Sequence, residues 1–309
     1  MWSNSPAVQP KSPSETQPQF NQLLTAVEIP LELSANEKLA RLRSIPPKRL
    51  LDAVQTIDVH QFRPTTDTGF IVPTLFESLD NGEFARKMLA RNIRLVLGEC
   101  RDEQHLYSVW YPPKSNTLDA LRTRLIADYP EKIVDTVLPL HYPDGRLPAG
   151  DKDWASDAWG KIYANMQVYH MQRGLLHALT SNTAGVDASR LLHRYRIEFR
   201  AKCMDGALPL EWGVTHSSDY PLWFWGNGKG LTSDEKRIVK EAFTDSLSRF
   251  VQGPAAAGPD GFGWGTSGYQ SIRVLKADGT VKIEGDPRWE KGVRVWKRVR
   301  EVDVPKARL

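Results

Sequence analysis

The sequence predicts an α/β fold with a few parallel central strands, many helices and a small C-terminal hairpin. Three observations carry that prediction. The run Ile93-Arg94-Leu95-Val96-Leu97 is nearly all apolar, too short for a helix and closed by Gly98, which suits a strand buried on both faces of a parallel sheet. Tyr195-Arg196-Ile197-Glu198-Phe199 alternates with period two and reads as a second strand. Near the C-terminus, Ile272 and Val274 are expected to pair with Val281 and Ile283 across Asp278-Gly279, a hairpin turn signal.

Helices fill most of the remainder. Ser34-Ala35-Asn36-Glu37 has capping-box spacing, with Leu39 and Leu42 following on one face. Pro46 and Pro47 end that helix and open another over Lys48 to Val54, because proline lacks the N–H of an interior turn but fits a first turn. His60 to Pro73 reads as an extended loop, Leu75 to Leu79 as a short helix and Asn81-Gly82 as a turn. Thr117 to Leu179 is helical in pattern, with a Pro/Gly-rich break at Pro143 to Gly150. Thr232-Ser233-Asp234-Glu235 is a further capping box, opening an amphipathic helix whose apolar face carries Val239, Phe243, Leu247 and Phe250. Beyond Pro254 the chain is Gly-rich to Gly268, so residues 255–309 read as a loop and β-hairpin tail of the same domain.

The 309 residues are 40% hydrophobic and 25% charged, an ordinary globular composition with length for a sizeable core. The net charge is +4, with Lys and Arg scattered rather than clustered, which describes a solvated surface and argues against a nucleic-acid partner. No apolar run approaches the roughly 20 residues of a membrane span. Met1 to Gln19 has neither the charged start nor the apolar middle of a secretory signal. Cys100 and Cys203 are too few for a disulfide framework; buried free thiols are expected, which fits a reducing, cytoplasmic compartment. His60, His105, His141, His170, His177 and His193 show no paired spacing with a third donor, so no metal or cofactor is assigned.

Two loops carry the chemistry. In Gly213-Val214-Thr215-His216-Ser217-Ser218-Asp219 one histidine sits among small residues, ahead of the aromatic run Tyr220-Pro221-Leu222-Trp223-Phe224-Trp225. Gly98-Glu99-Cys100-Arg101-Asp102-Glu103 follows the first strand and places carboxylates at a strand carboxyl end, where open α/β sheets position catalytic groups. An imidazole with an ordinary pKa of about 6.5 suits proton transfer at neutral pH. To act as base towards a serine it needs a carboxylate on its other ring nitrogen, which fixes the tautomer and stabilises the imidazolium. Taken singly, His216 reads as a surface or satisfied core residue, Glu103 as a solvated loop acid, Cys100 as inert packing, and Trp223, Phe224 and Trp225 as core.

With these blocks in view, the chain resembles the C-terminal half of type-B carboxylesterases, the group that also contains cholinesterases and some fungal lipases. The first matching block runs from Phe62-Arg63-Pro64 through Asp67, Gly69 and Phe70 to Asn81-Gly82-Glu83-Phe84-Ala85, then the strand and Gly98 to Glu103. The second is Gly213-Val214-Thr215-His216 with Trp223-Phe224-Trp225-Gly226 and the helix after Ser233. The resemblance implies an α/β-hydrolase fold, of which residues 1–309 form the C-terminal portion, and hydrolysis of a small-molecule carboxylic ester. It implies Glu103, rather than Asp102, as triad acid and His216 as general base, in the chain order of that fold. Asp219 is then either a hydrogen-bond acceptor for the histidine loop or a supporting acid, and Trp223 and Trp225 are candidates for a pocket wall as well as for core.

The departures are as informative. Gln104 stands where the family has glycine after the acid. The sequence contains no Gly-x-Ser-x-Gly and no Gly-rich oxyanion segment; Gly265-Thr266-Ser267-Gly268 has the wrong spacing and follows the histidine. Met1-Trp2-Ser3-Asn4-Ser5-Pro6 looks like the family's sequence just after its nucleophile helix. The resemblance therefore implies a truncated chain that is inactive alone, lacking the nucleophile and oxyanion hole. Its cut sheet is expected to leave an unpaired strand edge that aggregates or seeks a partner. The alternative is a non-catalytic binding module like the adhesion relatives of cholinesterases, against which the retention of both Glu103 and His216 weighs.

Overall fold

The computed structural model describes all residues except 1–3, 7, 59, 60, 68, 182–190, 227, 229, 254–260 and 304–309. His60, Met1 to Ser3 and part of the Gly-rich stretch after Pro254 thus lie outside the described residues. Among those described, one four-stranded sheet has the order β1-β2-β3-β4. β1 (Leu95–Cys100), β2 (Leu192–Ile197) and β3 (Ser271–Leu275) are parallel, and β4 (Val281–Gly285) returns antiparallel to β3.

The first strand is longer and later than its apolar run suggests. It continues through Gly98 to Cys100, so Gly98 is a strand residue and not a breaker. A side chain there would place its Cβ 2.5 Å from Cγ of Tyr195, the directly paired residue on β2; glycine lets the Tyr195 ring lie over the strand. The second strand is likewise earlier, and all six of its residues are buried, so its polar positions face partners and not water. Arg173, which is 0% exposed, and Arg196 both contact Glu99 on β1, at 2.6 and 2.5 Å. Arg173 and Arg194 share Asp286 at 2.8 and 2.7 Å. Burial opposes the charge on Glu99, but the Arg173 and Arg196 guanidiniums outweigh it and hold the carboxyl well below its usual range.

Helices cover both faces, as a parallel sheet requires. On one side α4 (Leu75–Asp80), α5 (Glu83–Ala90), α7 (Leu118–Asp128), α8 (Glu131–His141), α9 (Trp159–Ala164) and α10 (His170–Ser181) bury Phe76, Met88, Leu125, Trp159 and Leu176 against Leu97 and Leu192. On the other side, Tyr195 and Ile197 meet Val214, Trp223, Val239, Phe243 and Trp264. The first three helices, α1 (Pro13–Ala26), α2 (Ala35–Ser44) and α3 (Pro47–Val54), form a satellite cluster around Leu24, Val27 and Ile57. The Ser34 and Thr232 capping boxes are both present, the latter opening α11 (Ser233–Val239), which continues through a π turn into α12 (Asp245–Gln252).

Two expectations for the tail are corrected. The hairpin closes through Ala277-Asp278-Gly279, with Gly279 at φ +85° and Lys276 N–H donating to Thr280 O at 2.8 Å. That odd loop length shifts the register, so Ile272 and Val274 oppose Glu284 and Lys282, while Leu275 opposes Val281. The segment after it is no loop: Trp289–Asp303 forms a 15-residue helix that buries Trp289, Val293, Trp296 and Val299 in the larger core.

The outer edge of β1 is covered towards its C-terminal end. Arg101 N–H donates to Ile197 O, so alternate residues Gly98 and Cys100 direct their backbone groups away from β2. Gly98 O accepts from Gln172 Nε2, Cys100 N–H donates to Glu103 Oε1 at 2.7 Å, and Cys100 O accepts from Tyr169 Oη at 3.2 Å. The exposed edge expected from a cut sheet is covered there by side chains.

Candidate active site

The site is built where β1 and the loop after β2 come together. Beyond Cys100 the chain turns through Arg101, Asp102 and Glu103 into α6 (Gln104–Val109). Asp102 fastens this turn to the histidine loop through two rungs: its N–H donates to Val214 O at 2.9 Å and its Oδ2 accepts Val214 N–H at 2.9 Å. Gly213 makes the second rung possible. It has φ +56°, and a Cβ there would strike that same Asp102 oxygen. Leu106 N–H donates to Thr215 Oγ1 at 2.8 Å, a third tie between the loops.

These ties bring Glu103 and His216 together. Their contact is Nδ1 to Oε2 at 2.6 Å, across 113 positions of sequence. Glu103 is 0% exposed, and both its oxygens are committed, Oε2 to the imidazole and Oε1 to Cys100 N–H. Its own N–H donates to Tyr169 Oη at 2.9 Å, and Tyr169 shares its one proton between Arg101 O at 2.9 Å and Cys100 O at 3.2 Å. An ionised carboxylate only accepts, so the proton of neutral His216 sits on Nδ1 and Nε2 keeps its lone pair. Burial disfavours charge on His216, but the hydrogen bond and charge of Glu103 overcome it, and the pKa is raised. The geometry can therefore take a proton at Nε2 and stabilise the resulting imidazolium through Glu103.

The other candidates divide. Asp102 does not touch His216; it is the clamp just described. Asp219 is buried and accepts from Trp223 Nε1 at 3.2 Å, not from the histidine. Burial, with the Glu103 charge nearby, lifts its carboxyl to about 6. Trp223 packs between Tyr195 and Phe243, with ring centroids 4.9 and 4.6 Å away, and belongs to the core. Trp225 is half-exposed at φ +53°. Neither tryptophan, nor Glu103 or His216, lines the cavity of about 450 Å³ beside the N-terminal segment. Cys100 is fully buried, and burial together with the Asp219 and Glu103 charges pushes its thiol up, so it is no thiolate nucleophile. Among the described residues no group of three or more metal-ligating side chains occurs, and no helix is long and apolar enough to cross a membrane.

Sequence reasoning missed Tyr107. Its hydroxyl lies 3.2 Å from Nδ1 and 3.4 Å from Nε2 of His216, with ring centroids 4.7 Å apart. Burial keeps this phenol protonated, and it packs over the imidazole face, leaving the in-plane lone pair of Nε2 free for a proton. The signal was present: Tyr107 lies one helical turn, four residues, beyond Glu103, where helix geometry stacks side chains on one face.

No protein-family model matches the chain. A carboxylic ester hydrolase of Gibberella moniliformis is 38% identical over 303 residues, covering 97% of this chain and 53% of that protein. An uncharacterized esterase/lipase of Schizosaccharomyces pombe is 35% identical over 302 residues, covering 97% and 54%. The chain thus spans about half the length of the curated relatives it matches. Among solved structures, Aspergillus niger EstA superposes with a TM-score of 0.63 at 16% identity, over 98% of this chain and 58% of that one. A PNB esterase gives 0.57 at 16% identity, over 95% and 57%. These likenesses establish the fold, a mixed α/β architecture shared with the α/β-hydrolase esterases.

Proposed function

We propose that this chain supplies the acid and base of a serine-dependent carboxylic ester hydrolase of the type-B kind. The observation that carries the reading is the 2.6 Å contact between Nδ1 of His216 and a fully buried Glu103 carboxylate. In the reaction, His216 Nε2 accepts the proton of a serine hydroxyl as that oxygen attacks the ester carbonyl, and Glu103 stabilises the imidazolium. His216 then returns the proton to the departing alkoxide, and water, deprotonated by the same nitrogen, resolves the acyl-enzyme. Asp102 and Tyr107 position the imidazole. Homology to a carboxylic ester hydrolase over 97% of the chain supports the reaction class.

In this reading the attacking serine is not among the 309 residues, since they contain no Gly-x-Ser-x-Gly, and the chain alone does not turn over esters. A split-enzyme experiment tests it. The chain is mixed with the remaining portion of the Gibberella moniliformis relative, which is refolded separately, and p-nitrophenyl butyrate hydrolysis is followed. Activity is expected only in the mixture and is lost with His216→Gln. Fluorophosphonate labelling of a serine in the chain alone, or reconstituted activity indifferent to His216→Gln, overturns the reading.

A further inference from the structure

Away from the Glu103–His216 couple, a cavity of about 450 Å³ opens between the N-terminal segment, the 61–76 segment and the α7–α8 junction. That volume is within the usual range for small-molecule sites. Pro6, Val8, Ile71, Leu75, Phe76 and Pro130 give it a largely apolar wall.

Two polar atoms in the wall, Ser5 Oγ and Gln9 Nε2, are buried without a hydrogen-bond partner among the described residues. Ser5 is only 7% exposed, so it does not satisfy itself by facing bulk solvent. The main chain on either side is tethered: Ser5 N–H donates to Gln167 O at 2.9 Å, and Gln9 N–H to Asp303 Oδ2 at 3.0 Å. The two side chains are therefore held at the cavity by backbone bonds made elsewhere. A buried donor left without a partner is costly, and two on one cavity specify an acceptor-bearing occupant.

The charge in the wall gives the occupant its sign. Lys11 and Arg63 line the cavity against a single acid, Asp128. Asp128 is already bound on both sides, by Arg63 Nε at 3.1 Å and by Arg124 Nη1 at 2.9 Å. Glu15, whose carboxylate feels the Lys11 charge, lies outside the wall and caps the first helix through Ser12. The wall carries an excess of positive charge beside apolar surface.

We propose that this cavity binds a medium-chain monocarboxylate, with its hydrocarbon tail along the apolar wall and its carboxylate on Ser5 Oγ and Gln9 Nε2, under the charges of Lys11 and Arg63. The site is separate from the proposed hydrolytic couple, and its occupancy requires no ester turnover. Octanoate titrated calorimetrically into the unmodified chain is expected to bind saturably. Octylamine, with the same tail and the opposite charge, is expected to bind at least about tenfold more weakly, and butyrate to lose the tail's contribution. Gln9→Leu should weaken octanoate about tenfold, the size of one hydrogen bond to a charged group. Leu75→Trp, which fills the cavity, should abolish binding while leaving the far-ultraviolet circular dichroism unchanged. Absence of saturable octanoate binding overturns the proposal, as does equal binding of octylamine, a comparison that needs no variant. Failure of the split-enzyme experiment leaves this titration untouched.

Discussion

Replacing Glu103 with glutamine changes one atom and asks what the buried carboxylate does. Both oxygens accept, from His216 Nδ1–H at 2.6 Å and from Cys100 N–H at 2.7 Å. An amide can accept with only one; its NH2 then faces a donor, and at 0% exposure no water intervenes. The variant loses a charge-assisted bond worth about 1.5–3 kcal/mol and orphans a donor at a further cost of about 1–3 kcal/mol. Part of this is recovered by the neutral bond that remains, so a net loss of about 2–4 kcal/mol is expected. Urea unfolding measures it. The pH dependence is a second readout. A histidine whose folded pKa is raised stabilises the fold fully below its ordinary value of 6.5 and loses that contribution as pH rises through the folded value. The gap between wild type and Glu103→Gln should therefore be widest just below that window and narrow above it. In an NMR titration the His216 pKa should fall in the variant, because burial is then opposed by the Asp219 charge alone. A destabilisation under about 0.5 kcal/mol, the size of an ordinary surface substitution, or an unmoved His216 titration, refutes the account.

Asp219→Asn tests the opposite case. A carboxyl raised from 3.8 to about 6 weakens the fold as pH climbs through that interval, so the amide should stabilise the chain at about pH 7, by up to about 3 kcal/mol, and do nothing at about pH 3. Gly213→Ala forces a side chain onto a φ of +56° and into the Asp102 carboxylate; a loss of about 1–3 kcal/mol is expected, together with disappearance of the deshielded His216 Nδ1 proton from the NMR spectrum. Glu99→Gln leaves Arg196 without its counter-charge in a buried site and Arg173 with only the Asp286 carboxylate it shares with Arg194, and thermal unfolding should show a cost of about 3–5 kcal/mol. Under native conditions iodoacetamide should modify the partly exposed Cys203 well before the buried Cys100, as read by peptide mass spectrometry; the reverse order contradicts the raised thiol pKa.

Local chemistry was legible where it is local. The Ser34 and Thr232 boxes reach only three residues along the chain, and the proline pair at 46 and 47 acts through its own backbone. Long-range packing was not. Gly98 reads as a breaker until Tyr195 is known to lie over it. Arg196 falls on the polar side of the Tyr195–Phe199 alternation, and sequence gives no sign that Glu99 is buried against it. The Trp289–Asp303 helix was missed through its many Lys and Arg residues, although its apolar positions follow a helical repeat. At the site, the family resemblance of the two loops implied Glu103 and His216, but Asp102 as the tie between those loops could not be read without the pairing of Asp102 with Val214.

The covering of β1 sets the conditions under which a further strand can join it. Gln172 and Tyr169 sit on consecutive turns of one helical stretch and occupy the outward hydrogen bonds of Gly98 and Cys100. Extension of the sheet on that side is therefore an exchange in which an incoming backbone displaces two side chains and the helix that carries them. Under the proposed function, joining of a serine-bearing segment on that side should then be governed by helix withdrawal, giving a slow, concentration-independent phase where simple edge pairing would give a bimolecular one.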